Sequence, residues 1–189
     1  ELCRFERAMI SAHTNVDRGI FGTATAMLSS FLGDCDLNQL VESSEVLDPW
    51  EELGGLGHGR VLSLEEPRTF VDCVKSLELS FAQPRLWAFP GYSRKPDSKL
   101  SRIAFCPGAF SEDFLPLVKK AGVEMVVSGE VKHHLQLAIH DLGCDLVMLN
   151  HDVSERVVMP IILAYLRRLF PSLNFALDRG IDYTLETSN

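Results

Sequence analysis

The chain has 189 residues, 46% of them hydrophobic, and 26 acidic against 18 basic side chains give it a formal charge of -8. That length can bury one substantial core or two small α/β lobes sharing an interface. The acidic balance, with no Lys/Arg stripe interleaved with aromatics, opposes nucleic-acid phosphate, so no direct nucleic-acid binding is expected.

In chain order, "RAMISAH" reads as a short buried strand, and "RGIFGTATAMLSSFLG" has helical apolar spacing that stops at Gly33. Residues 34 to 59 are polar and end in "GGLGHG", which predicts a loop and one irregular strand. "RVLSL" predicts a strand, "EPRTFVDCVKSLEL" a helix with Pro67 in its first turn, and "RLWAF" a further strand. "PGYSRKPDSK" is a turn-rich connector that divides the chain into residues 1–98 and 99–189. From Ser101 the rhythm is regular: strand "RIAFC", turn "PGAFSED", helix to Lys120, strand "VEMVVS", helix from about Glu130 to Leu142, strand "CDLVML", helix "SERVVMPIILAYLRRLF", strand "NFAL". Continuous apolar strands alternating with amphipathic helices predict an α/β fold with a mostly parallel sheet covered on both faces. No apolar run approaches the roughly 20 residues of a spanning helix, and "ELCRFERAMI" lacks the make-up of a secretion signal. Five widely spaced cysteines, at positions 3, 35, 73, 106 and 144, suit reduced thiols. A soluble cytoplasmic protein without a membrane is expected, with nucleus and mitochondrion left open.

Ligands of such sheets gather at the carboxyl ends of strands. "SAHTNVD" places His13 four residues before Asp17, and "NHDVSE" places His151 four residues before Glu155, each at the end of an expected strand. Imidazole and carboxylate are the donors that Zn, Mn, Fe, Co and Ni use, and two such steps can clamp a pair of divalent transition-metal ions, with Glu155 as the bridge. Helix capping accounts for the same carboxylates: Thr14 or Asp152 is a cap residue and Asp17 or Glu155 reaches back to it. "SGEVKHH" adds Glu130, His133 and His134 near a helix start, where an acid also suits the helix dipole. His58, between glycines, reads as a residue of a solvent-exposed loop, and His140 as an ordinary late-helix histidine. "CPGAF" lacks the phosphate-loop spacings, and Cys106 reads as a core thiol rather than a nucleophile.

"SAHTNVD", "GLGHGRV", "RIAFCPGAFSEDFLPLVKKAGVEMVVSGEVKHH" and "LNHDVSE" occur in the order and approximate spacing of the Nif-three-like family, which the chain resembles over nearly its whole length. The family is named for an Ngg-one-interacting factor, and its members often carry a GTP cyclohydrolase type-two-like label. The resemblance implies a two-lobed αβα fold holding a dinuclear metal site inside a ring-like homo-oligomer such as a hexamer. It implies metal ligation by Asp17, His151 and Glu155, with Glu155 bridging, and places His13 as a ligand or close neighbour. Glu130 and His134 match a Gly-Glu…His-His segment near the family's metals, which makes them the expected proton carriers.

The sequence departs from the family pattern at three places. A His-His pair that the family carries upstream has no counterpart here, so the N-terminal lobe is expected to be truncated or the site incomplete. "CPGAFSED" stands for a more glycine-rich turn, with Pro107 and Phe110 where smaller residues are usual, and Asn150 stands where a glycine precedes the histidine. The expected function is metal-dependent hydrolysis of a small-molecule phosphoester or purine-type, cyclohydrolase-like substrate. The alternatives are a metal-stabilised oligomeric interaction or co-regulator protein without catalysis, and a chain that has lost its metals.

Overall fold

The computed structural model describes residues 8–178, residues 34, 54, 93, 94 and 96 excepted. Its elements in chain order are α1 (Thr14–Asp17), α2 (Thr23–Leu32), α3 (Leu37–Ser43), β1 (Ser44–Pro49), β2 (Gly57–Thr69), α4 (Phe70–Ser80), β3 (Trp87–Phe89), β4 (Lys99–Ala109), α5 (Phe114–Lys120), β5 (Met125–Glu130), α6 (His133–Asp141), β6 (Asp145–Met148), α7 (His151–Arg156) and α8 (Met159–Leu169). The strands form a six-stranded sheet in the order β1-β2-β4-β5-β6-β3. β4, β5 and β6 run parallel, as the strand–helix rhythm after Ser101 predicts. β1, β2 and β3 join antiparallel, so the α/β sheet is a mixed one. β2 and β4, on either side of residue 98, are direct neighbours.

Alternation along the central strands builds the two faces. Ile103 and Phe105 of β4, with Met125 and Val127 of β5, pack against Met27, Leu28 and Phe31 of α2 and Cys73 and Leu77 of α4. Ala104, Cys106 and Val126 point the other way, onto Val118 of α5 and Leu135 and Ile139 of α6. A strand apolar on both sides needs helices over both faces, and here it has them. Among the described residues, no helix is long and apolar enough to cross a membrane. Cys35, Cys73, Cys106 and Cys144 form no disulfide with one another, while Cys3 lies outside the described residues.

Several local expectations are corrected. Residues 8–13 form no strand, and Met9 and Ile10 are 78% and 93% exposed. An extended segment is a strand only where a neighbour takes its N–H and C=O groups, and no pairing includes this one. Residues 34–59 contain a helix as well as a strand: Asp36 accepts from the N–H groups of Asn38 and Gln39 and starts α3, and β1 follows at once. Pro67 ends up inside the long β2 rather than in a helix, because Thr69 Oγ1 accepts from Asp72 N and starts α4 after it. The last predicted helix is broken between Arg156 and Met159, and residues 174–178 are not a strand.

Phe105 is fully buried at the centre of the sheet, its ring 5.4 Å from that of Phe31. Phe105→Ala is expected to remove about 3–5 kcal/mol of unfolding free energy, as a buried aromatic-to-alanine cavity does. Chemical denaturation followed by far-UV circular dichroism checks this.

Candidate metal centre

β4 and β5 end together, Ala109 paired with Glu130. Between Cys106 and Ala109 the register of β4 against β5 shifts, and the chain passes Pro107 and Gly108 in an irregular stretch. Gly108 has φ +62, a left-handed conformation natural to glycine. A Cβ there would collide with Glu155 Oε1. The stretch is tied down on two sides. Ser128 Oγ donates to Gly108 O at 3.2 Å, and Gly108 N donates to Ser154 Oγ at 2.9 Å. Ser154 is fully buried, and its hydroxyl donates in turn to His151 O at 2.7 Å. Gly129 leaves the room for this, since its own Cβ would overlap Ser154 Oγ. The start of α7 is thereby pinned over the ends of β4 and β5.

His151, the first residue of α7, stands between two carboxylates. Its Nδ1 is 3.0 Å from Glu130 Oε2, at the end of β5, and its Nε2 is 3.2 Å from Glu155 Oε1, one helical turn on. The hydrogen bond to Glu130 raises the affinity of the ring for a proton, and the charges of Glu155 and Glu130 add to it against a smaller desolvation effect, so the pKa of His151 lies above the usual histidine value. Glu155 does not cap: α7 has Asn150 at its N-cap position with no side-chain hydrogen bond to its N–H groups. Nor does Asp17 cap α1, whose N-cap is His13. Asp17 Oδ1 instead accepts from Thr23 Oγ1 at 2.8 Å, a hydroxyl buried at the start of α2. Capping therefore explains neither carboxylate.

The two steps meet. His13, Thr14 and Asp17 line a cavity of about 270 Å³ together with His151 and Glu155, and Cys106, Pro107 and Ala109 also line it. Two imidazoles and two carboxylates around one space fit divalent transition ions in kind. Of these four side chains His151 and Glu155 are in contact, and among the described residues no three His, Cys, Asp or Glu side chains stand close enough to hold an ion together. Glu130 joins the group only through His151. His134 is exposed on the first turn of α6 and does not line the cavity.

Burial pushes the Cys106 thiol up to about 12, which keeps it protonated and makes it a poor nucleophile. His58 is the main surprise. It lies half-buried in β2 rather than in an exposed loop, and it lines the same cavity. Arg18 Nε donates to its Nε2 at 2.7 Å. An arginine has no acceptor to offer, so His58 must present a lone pair there, with its proton on Nδ1. Burial first, and the Arg18 charge second, lower its pKa, against a partial offset from Asp48 and Asp17. Ser154, Gly108, Gly129, Ser128 and Arg18 also shape the site without standing out in the sequence. The clue was the glycine pattern "GLGHG" and "CPGAF", which marks close approach of backbone without naming what approaches.

Comparisons with known proteins identify the family and the fold. The model of Duf34/NIF3 (NGG1p interacting factor 3) matches residues 1–181, and the chain belongs to that family. A Clostridium perfringens protein named GTP cyclohydrolase 1 type 2 homolog is 23% identical over 151 residues, 80% of this chain and 53% of that protein. The chain thus spans about half the length of that curated relative. A Staphylococcus aureus hypothetical protein superposes with a TM-score of 0.72 at 17% identity, over 90% of this chain and 64% of its own. Reduced HcgD from Methanocaldococcus jannaschii does so with a TM-score of 0.66 at 18% identity, over 88% and 59%. Both share the fold.

Two measurements probe this site. Gly108→Ala is expected to cost about 1–3 kcal/mol, from a left-handed alanine and a Cβ in the place of the Glu155 carboxylate, whereas Gly122→Ala, also at positive φ but facing open space, carries the backbone strain alone. Denaturant midpoints of the two variants separate the contributions. For His58 the folded pKa is depressed, so the unfolded chain takes the proton first. Its contribution to stability is intact above about pH 6.5 and is lost as pH falls toward the lower folded value. Between about pH 7.5 and 5 the wild type should lose more stability than His58→Gln, which keeps an acceptor for Arg18 without titrating.

Proposed function

We propose that the chain contributes a dinuclear divalent-metal site and acts as a metal-dependent hydrolase on a phosphoester or purine-type, cyclohydrolase-like small molecule. The observation that carries this reading is that both His-x-x-x-carboxylate steps open onto one cavity while neither carboxylate is used to cap its helix. His13, Asp17, His151 and Glu155 would hold the ions, with Glu155 between them. Such ions, when bound, act as Lewis acids toward the scissile centre and make water a nucleophile near neutral pH.

The chain's own groups prepare for this. Glu130 lies 3.0 Å from His151 Nδ1 and Glu155 3.2 Å from Nε2, and this pair of contacts orients the ring with Nε2 toward Glu155. The same two carboxylates raise the proton affinity of His151. Glu130, in contact with the His151 ring, is proposed to relay a proton, and His134 is the second group proposed for that role. Thr23 holds Asp17 in a single orientation. Phe114, across from His58 at 6.1 Å between ring centroids, gives the cavity an apolar rim.

The reading of a metal-stabilised homo-oligomer that binds partners has one observation in its favour. α8 buries none of its residues, and Ile161, Ile162 and Tyr165 line an apolar groove of about 870 Å³ with Val16, Phe21 and Leu37. An exposed apolar face of this kind suits association with a second copy or a partner.

Elemental analysis of tag-free protein is expected to find about two transition-metal ions per chain, lost in His151→Ala and Glu155→Ala. Glu130→Gln should bind metal about 10- to 100-fold more weakly, and His134→Ala should keep its metal while slowing turnover of a phosphoester substrate. Wild type that stays empty after metal addition sinks the proposal. Metal loss that breaks up the oligomer, with no turnover in any variant, transfers it to the scaffold reading.

A further inference from the structure

A second cavity, of about 370 Å³, lies beside the first and is lined by Thr14, Asn15, Arg18, Trp50 and Leu56. Thr14 lines both, so the two spaces adjoin across one side chain. Arg18 is held unusually firmly for a surface-derived arginine. Its Nε donates to His58 Nε2 at 2.7 Å, and its guanidinium carbon lies 5.2 Å from the centroid of the Trp50 ring. Its carbonyl accepts from Gly57 N at 3.1 Å, which anchors the backbone to the start of β2. The Trp50 backbone is tied to the same loop, its N–H donating to Leu56 O at 2.9 Å.

What this cluster does not contain is an anion. Among the described residues Arg18 forms no ion pair, in a chain whose formal charge is -8. His58 engages only Nε and brings no negative charge. The two terminal nitrogens are left as a planar fork, the geometry that matches two oxygens of a phosphate or carboxylate. A half-buried cation held by a histidine and an aromatic ring but without an ion-pair partner keeps its terminal nitrogens free for an anion, since the contacts to His58 and Trp50 do not neutralise its charge.

We propose that this second cavity is an anchoring subsite in which Arg18 binds the phosphate or carboxylate of a substrate whose flat or apolar part lies against Trp50 and Leu56, with the rest extending past Thr14 into the cavity of His151 and Glu155. The term substrate rests on the hydrolytic reading above; the anion site itself requires neither metal nor turnover. Arg18 is a binding residue in this scheme, and His58 a positioning residue that keeps the fork turned outward.

The test uses the full chain carrying Trp87→Phe, so that Trp50 is the remaining tryptophan of the two. Its fluorescence is followed on titration with phenyl phosphate, benzoate and phenol. A saturable change is expected with at least one of the two anions and not with phenol, and which anion binds more tightly identifies the preferred headgroup. Arg18→Met should weaken that binding about tenfold or more, the loss of one bidentate charge-assisted contact. Arg18→Lys, which preserves charge but not the fork, should fall between, and it supplies the answer if the methionine variant does not fold. Glu155→Ala should bind the anion as the parent does. Absence of saturation with both anions, or an Arg18 variant that titrates like the parent, overturns the proposal. Binding lost in Glu155→Ala but kept in Arg18→Met also overturns it and leaves the metal reading standing. Binding lost only with Arg18, in protein that takes up no metal, upholds the anion site and removes the hydrolase.

Discussion

The hydroxyl of Ser154 is the joint on which the site depends. It donates to the carbonyl of His151 in its own helix and accepts from the amide of Gly108 in the last stretch of β4. The bond to Gly108 is buried and the one to His151 is partly so, and losing the hydroxyl would leave the Gly108 amide without its partner. Gly129 and Gly108 are the conditions for that contact, since a Cβ at either would overlap Ser154 or Glu155. With α7 fixed against the strand ends, the positions of His151 and Glu155 follow from helix geometry alone. Four residues apart on one helix face, they meet at 3.2 Å.

Two histidines on this cavity are pushed in opposite directions by their neighbours. His151, between Glu130 and Glu155, is favoured as a cation. His58, partly buried and facing Arg18, is favoured as a neutral acceptor. The separation is not a property of histidine but of what each ring faces, and it polarises the cavity. His151 stands between two carboxylates on the first cavity, while His58 on the same cavity turns a ring nitrogen to Arg18, which lines the adjoining one. A substrate with one anionic end and one electrophilic end would find a complementary partner at each.

The parts of this arrangement visible in the sequence are those carried by local chemistry. Apolar strands between amphipathic helices from Ser101 onward specify β4, β5 and β6 with their helices, because parallel strands are buried on both faces and cannot hide that pattern. The family marks around His13, Asp17, His151 and Glu155 are legible for the same reason, as donor types at fixed spacing. What stayed hidden depends on contacts between distant residues. β1, an edge strand, lies in a polar stretch that reads as loop with one irregular strand, and β2 extends beyond the legible "RVLSL" on both sides because of its pairing with β1 and β4. Ser154 looks like any helix serine, and its role exists only once Gly108, 46 residues earlier, reaches it. "AMISA" has the composition of a strand but no neighbour among the described residues to complete one, since strand formation is a property of a pair.

The two steps that look alike in the sequence also fold differently, and the difference assigns them different work. After His151 the helix runs a full turn and a half, and its carboxylate folds back onto the imidazole. After His13 the helix lasts only for Thr14–Asp17, then turns through Gly19 and Gly22. Gly22 packs so closely on the carbonyl of Val16 that any side chain there would be excluded, so the turn must come at that point. Asp17 is thereby swung away from His13 toward Thr23, and Arg18 toward His58 and Trp50. The short helix is therefore a divider: its two successive residues Asp17 and Arg18 serve adjacent cavities with opposite charge. Gly19 and Gly22 carry the chain out of that turn, with Asp17 left on the first cavity and Arg18 on the second.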